Sequence, residues 1–154
     1  MRITTLLLLA LCARPSAAEA PAADLNGVGI VEKLGARVPL DLELLDEDGK
    51  TVVLRQLVDR PTVLALVYYR CAGICTPLLV SLTRTLNELP LEPGKDFKVI
   101  TVSFDPLDTF RLAKEKRLNY LRLLRRPFPP SAWRFLTGPQ SSTRALADSV
   151  GFGF

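Results

Sequence analysis

Val63-Leu64-Ala65-Leu66-Val67-Tyr68-Tyr69, then Arg70-Cys71-Ala72-Gly73-Ile74-Cys75-Thr76-Pro77, then Leu78 onward, is the stretch on which the fold turns. Its first seven positions are unbroken apolar, β-branched or aromatic residues bounded by Pro61 and Gly73, the mark of a buried strand. Beyond Pro77, Leu78, Leu79, Leu82, Leu86 and Leu89 recur at intervals of three and four, which gives a helix one apolar stripe. The cysteines therefore fall at a strand-to-helix turn, where open α/β sheets concentrate their chemistry.

Cys75 follows Cys71 by four positions, so on an incipient helical turn the two side chains share a face, with Cβ atoms about 5–6 Å apart. The free N–H groups and partial positive charge of a helix N-terminus lower the pKa of thiols held there, and Arg70 adds a formal charge beside them. Such a pair has three uses: a structural staple, a reversible disulfide for thiol exchange, or a two-sulfur grip on a soft ion such as Cu(I). A staple across so short a loop removes little chain entropy, which disfavours the first.

Working outward, Leu40-Asp41-Leu42-Glu43-Leu44 alternates, Asp46-Glu47-Asp48-Gly49 is a turn and Val52-Val53-Leu54 resumes, which predicts a β-hairpin. On the other side Pro90 and Pro93-Gly94 end the helix, and Phe97 to Phe104 is a second apolar strand. The helix between makes a βαβ unit with parallel strands and a right-handed crossover. Asp105-Pro106-Leu107-Asp108-Thr109 leads into a helix from Phe110 to about Arg125. Asp105 and Asp108 lie on the same sheet edge as the cysteines and are read as turn and cap residues rather than as walls of a metal pocket. Trp133 to Thr137 is extended, Ser141 to Val150 a helix, and Phe152-Gly153-Phe154 the first step of another strand. Tyr68 and Tyr69 point to opposite faces, one into the core and one to the mouth of the cysteine turn.

The first twenty residues differ from the rest. Arg2 precedes the apolar run Ile3 to Leu11, and Ala18-Glu19-Ala20 fits a small-x-small cleavage site, so residues 1–20 are read as a secretory signal peptide. The apolar run is well short of the ~20 residues a membrane-spanning anchor needs. Residues 21–36, with Pro21, Gly27, Gly29 and Gly35, are a flexible lead-in, and 37–154 form one α/β domain. Cleavage removes Cys12 and leaves Cys71 and Cys75 as an even pair in an oxidising compartment, which favours redox or metal use. A net charge of +4, with no aromatic residues interleaved in a basic run, argues against nucleic acid. Arg111, Lys114, Lys116, Arg117, Arg122, Arg125 and Arg126 cluster in one segment, read as a solvated helix face in preference to a steering patch for an acidic partner or an anionic membrane surface.

Val67-Tyr68-Tyr69-Arg70-Cys71-Ala72-Gly73-Ile74-Cys75-Thr76-Pro77, followed by Val99-Ile100-Thr101-Val102-Ser103-Phe104-Asp105-Pro106 and Asp108-Thr109, resembles the Sco/SenC copper-chaperone family over residues 35 to 154. The resemblance implies a thioredoxin-like α/β fold with an N-terminal β-hairpin, and a copper-binding assembly factor exported to the periplasm, free or held at the inner membrane. Its partner would be the copper-site subunit of cytochrome c oxidase or another exported copper protein, served by metal transfer, by thiol reduction, or by both. Cys71 and Cys75 match the family's two cysteine copper ligands, which also close as its disulfide.

Two departures follow. Thr76 stands between the second cysteine and Pro77, and the sequence contains no histidine, whereas the family's third copper ligand is a histidine beyond the strand that would begin near Phe152. Two thiolates suit Cu(I), while Cu(II) prefers nitrogen donors, so weak Cu(I) binding without a stable Cu(II)–thiolate band is expected. The chain is also expected to lack the family's C-terminal hairpin and helix. The edge of the strand Val63 to Tyr69 that the hairpin would cover is then open, apolar and prone to association, and a poorly soluble or molten chain is expected. Two alternatives to the copper carrier stand beside it. One is a thiol–disulfide oxidoreductase with Cys71 attacking and Cys75 resolving; the other is an inactive fragment lacking the third ligand.

Overall fold

A computed structural model describes residues 27–154. The export signal expected at 1–20 and the first part of the expected lead-in lie outside the described residues. In chain order the elements are β1 (Gly29–Ile30), β2 (Glu43–Leu45), β3 (Thr51–Val53), a 3-10 turn (Leu54–Gln56), β4 (Thr62–Val67), α1 (Cys75–Glu88), β5 (Lys98–Ser103), α2 (Phe110–Leu121), β6 (Trp133–Leu136), α3 (Gln140–Ser149) and β7 (Phe152–Gly153).

The centre is the parallel sheet β4-β5-β6. Thr62 to Val67 pair in parallel with Lys98 to Ser103, as a strand–helix–strand crossover requires, and Val99 to Val102 pair in parallel with Trp133 to Leu136. β5 is the middle strand and is buried from Val99 to Ser103, so its residues feed two apolar layers. Val99 joins Leu79, Leu86, Ala113, Tyr120, Trp133 and Phe135 beneath α1 and α2. Ile100 and Val102 join Leu44, Leu54, Leu136 and Leu146 beneath the hairpin and α3. Trp133 is fully buried and donates its indole N–H to Thr101 Oγ1 at 3.0 Å.

The hairpin β2–β3 forms in antiparallel register, with Asp46 Oδ1 accepting the N–H groups of Asp48 and Lys50 to close its turn. The turn is also a structural anchor. Glu47 is buried and accepts from both Arg134 Nε (3.0 Å) and the Phe135 N–H (2.8 Å), with Arg117 Nε at 3.2 Å from its other side. Arg117 donates also to the Trp133 and Pro130 carbonyls, and Arg126 to those of Leu89 and Leu91. The basic segment is therefore not one free cationic field: Arg117 and Arg126 fasten chain segments together, and Lys114 pairs with Asp48.

The lead-in departs from the sequence reading. Gly29 and Ile30 pair antiparallel with Gly153 and Phe152, so the C-terminal strand finds its partner in a segment expected to be loose. A Cβ at Gly151 would lie 1.7 Å from the Val31 carbonyl oxygen, and Gly151 has φ +74, so only glycine permits this approach. Among the described residues nothing pairs with the outer edge of β4.

Candidate functional site

The central strand delivers the two cysteines to one place by different routes. β4 ends at Val67, Tyr68 carries the chain to the rim, and a turn through Tyr69 and Arg70, closed by the Cys71 N–H on the Tyr68 carbonyl (3.3 Å), brings Cys71 back over the start of α1. Cys71 is thus in the turn and not on the helix. Cys75 is the first residue of α1, and the preceding Ile74 offers no capping side chain. The Cys71 sulfur takes that place, accepting from the Gly73 N–H at 3.3 Å and the Cys75 N–H at 3.5 Å. Both cysteines are free thiols and both are buried.

The thiols differ in acidity, where the sequence reading expected both to be lowered. The neighbouring Tyr68 hydroxyl, with the Cys75 and Gly73 N–H groups, outweighs burial to bring the Cys71 pKa down to about 7. Burial pushes the Cys75 thiol up, and the neighbouring Cys71 sulfur adds to the effect. Arg70 plays no part in this. Its guanidinium turns away to Asp108 Oδ1 (3.0 Å) and Asp105 Oδ2 (3.4 Å).

Asp108 is more than a turn residue. Its side chain is fully buried and accepts from the Tyr69 N–H (2.5 Å), the Ser103 hydroxyl (2.6 Å) and Arg70 Nε (3.0 Å), so one carboxylate ties the cysteine turn to the end of β5. Asp105 keeps its turn role, accepting the Leu107 N–H at 2.8 Å, while Thr109 caps α2 through the Leu112 N–H. Tyr69 is the core tyrosine, its hydroxyl 2.8 Å from the Leu136 carbonyl. Tyr68 stands at the mouth, edge-on to Phe104, whose ring in turn packs on Phe152 and Phe154. Among the described residues no group of three or more His, Cys, Asp or Glu side chains is arranged to hold a metal, so the sulfur pair stands without a third donor of those types.

These features define a class: a thioredoxin-like α/β domain with a cysteine pair at the mouth of its first parallel strand, poised on a helix N-terminus. Comparison with known proteins makes the assignment specific. The SCO1/SenC family model matches residues 32–149, and the chain belongs to that family. Among solved structures it is similar to a candidate electron transfer protein of Aquifex aeolicus, at 31% identity over 79% of this chain and 74% of that one, with a TM-score of 0.68. It is also similar to Bradyrhizobium japonicum ScoI, solved with copper bound (27% identity, 71% and 64% coverage, TM-score 0.50). Thermus thermophilus apo Sco1 is a third (25% identity, 78% and 64% coverage, TM-score 0.57). No curated protein matches the sequence.

Proposed function

We propose that this chain is a copper carrier that holds Cu(I) between Cys71 and Cys75. The observation that carries the reading is the junction of the Cys71 sulfur with the start of α1, where two N–H groups and a phenol favour a thiolate beside a second thiol. Family membership and a similar ScoI structure with copper bound support it. The donor set suits the cargo: two soft sulfurs satisfy Cu(I), and with no histidine in the chain the nitrogen donor Cu(II) prefers is missing. Binding of the ion displaces the proton of Cys75 as well as that of Cys71, so uptake should release protons below the ordinary thiol range. The reading extends to export into the periplasm, free or held at the inner membrane. Its partner there is the copper-site subunit of cytochrome c oxidase or another exported copper protein.

Anaerobic competition for Cu(I) against bicinchoninate tests it. One ion per chain is expected, and Cys71→Ser and Cys75→Ser should each abolish competition. Undiminished binding by either variant would overturn the reading.

The unequal acidities favour a second use of the same pair. The Cys71 thiolate attacks a partner disulfide and expels one partner thiolate. Cys75 then loses its proton and attacks the Cys71 sulfur, releasing the second thiol. Two electrons pass to the partner, Cys71 and Cys75 are left joined, and an external dithiol must reduce them before the next cycle.

A further inference from the structure

Cu(I) that takes the place of the protons on two thiols leaves a bis-thiolate with one net negative charge, which is costly in a largely buried site unless a cation offsets it. Arg70, next to Cys71 in sequence, does not do so. Its guanidinium is shared by the Asp108 and Asp105 carboxylates, so that cluster brings no positive charge to the sulfurs. The Gly73 and Cys75 N–H groups are directed at the Cys71 sulfur. On the Cys75 side a cavity of about 10 Å³, room for one water at most, lies between α1 and α2, with Tyr68, Cys75, Thr76, Lys116 and Tyr120 among its walls. Helix spacing brings Lys116 there. Ala113, Lys116 and Tyr120 follow at intervals of three and four on α2, and Ala113 and Tyr120 are buried in the same core cluster as Cys75.

Neighbours of Lys116 in the basic segment are engaged elsewhere. Lys114 pairs with Asp48, Arg117 with Glu47, and Arg126 holds the carbonyls of Leu89 and Leu91. Lys116 is half-buried and makes no ion pair among the described residues. We propose that Lys116 is the positioning cation of the copper site: its ammonium, carried on α2 beside Cys75, offsets the negative charge of the bis-thiolate and so strengthens the hold on Cu(I). The proposal rests on the copper reading. An ammonium has no lone pair to give the ion, so Lys116 acts through the sulfurs and not as a ligand. α2 packs on β6, at the flank of the sheet away from the outer edge of β4, and the arrangement does not depend on what covers that edge.

Substitutions that remove or keep the charge, made in the full chain, test this. Lys116→Met keeps a long apolar stem without the ammonium, and Lys116→Arg keeps the charge. In anaerobic competition against bicinchoninate, Lys116→Met should bind Cu(I) about tenfold more weakly than the parent, and Lys116→Arg within about twofold of it, as one unit charge acting across a partly hydrated gap requires. Lys114→Met, which removes an equal charge from the same helix where it pairs with Asp48, should bind as the parent does. A metal-free measurement reads the same charge: the rates at which Cys71 reacts with anionic iodoacetate and with neutral iodoacetamide, resolved at the Cys71 peptide by mass spectrometry. In each case the thiolate forms a thioether and iodide leaves. Both reagents meet the same thiolate, so the ratio of rates is independent of its acidity, and Lys116→Met should lower the iodoacetate-to-iodoacetamide ratio about threefold. Parent-like affinity in Lys116→Met, an equal loss in Lys114→Met or Lys116→Arg, or an unchanged ratio would overturn the proposal. Failure of the parent to take Cu(I) would instead overturn the copper reading, and the alkylation ratio would then decide the charge on its own.

Discussion

Asp108→Ala removes the carboxylate that fastens the cysteine turn to the end of β5, and its effect can be worked from the groups that carboxylate holds. The Tyr69 N–H and the Ser103 hydroxyl are both buried donors, and each bond to a charged acceptor is worth about 1.5–3 kcal/mol. The Arg70 pair, whose cation is half-exposed, adds only about 0–1 kcal/mol. Truncation should therefore destabilise the chain by about 3–6 kcal/mol, because it strands two buried donors as well as losing the bonds. Asp108→Asn keeps the shape and one accepting oxygen and should lose about 2 kcal/mol. Arg70→Ala should lose less than about 1 kcal/mol. Urea unfolding followed by the fluorescence of Trp133, the single and fully buried tryptophan, reads all three. An Asp108→Ala chain within about 1 kcal/mol of the parent, or an Arg70→Ala chain as damaged as Asp108→Ala, would refute the argument.

Glu47→Ala leaves the buried Phe135 N–H without its acceptor and Arg134 with only Asp46 at 3.4 Å, and should cost about 3–5 kcal/mol in the same unfolding measurement, whereas a surface turn residue would lose almost nothing. Thr137→Val should be neutral or stabilising by up to about 1 kcal/mol, since among the described residues the buried Thr137 hydroxyl has no partner to lose; clear destabilisation would show that it has one. Site-resolved alkylation should show Cys71 reaching half its limiting rate near pH 7, with Cys75 lagging beyond the ordinary thiol range; identical midpoints would contradict the unequal pair. The linked effect on stability has opposite signs for the two. The lowered Cys71 supports the fold above the pKa of an unfolded thiol, and this support is lost as pH falls through about 7. The raised Cys75 supports it below the unfolded value and loses that support as pH rises through its own higher pKa.

Local pattern carried most of the architecture. Apolar runs at 63–69 and 97–104 with a three-four leucine repeat between them suffice to predict two parallel strands and a crossover helix, and the hairpin follows from alternation around Asp46 to Gly49. The position of Cys71 and Cys75 at the strand-to-helix turn was legible for the same reason. What escaped were contacts between residues far apart in sequence. Asp108 reads as a cap because Asp before Thr commonly is one, and nothing nearby signals a bond to the Tyr69 N–H across 39 positions. Glu47 reads as a turn residue, its partners Arg117 and Arg134 lying on two other elements. A two-residue ladder rich in glycine, Gly29–Ile30 on Phe152–Gly153, has no periodicity to detect. Arg70 misled in the other direction: adjacency in sequence suggested a charge on the sulfurs, but the side chain is drawn off by two aspartates.

The central claim is that two sulfurs at the start of α1 hold one soft ion between them, and X-ray absorption at the copper edge on the anaerobically loaded chain addresses it directly. The account predicts a Cu(I) edge with two sulfur neighbours and no nitrogen, and a changed spectrum in both Cys71→Ser and Cys75→Ser. Copper bound through nitrogen or oxygen alone, or a spectrum indifferent to either substitution, would contradict it.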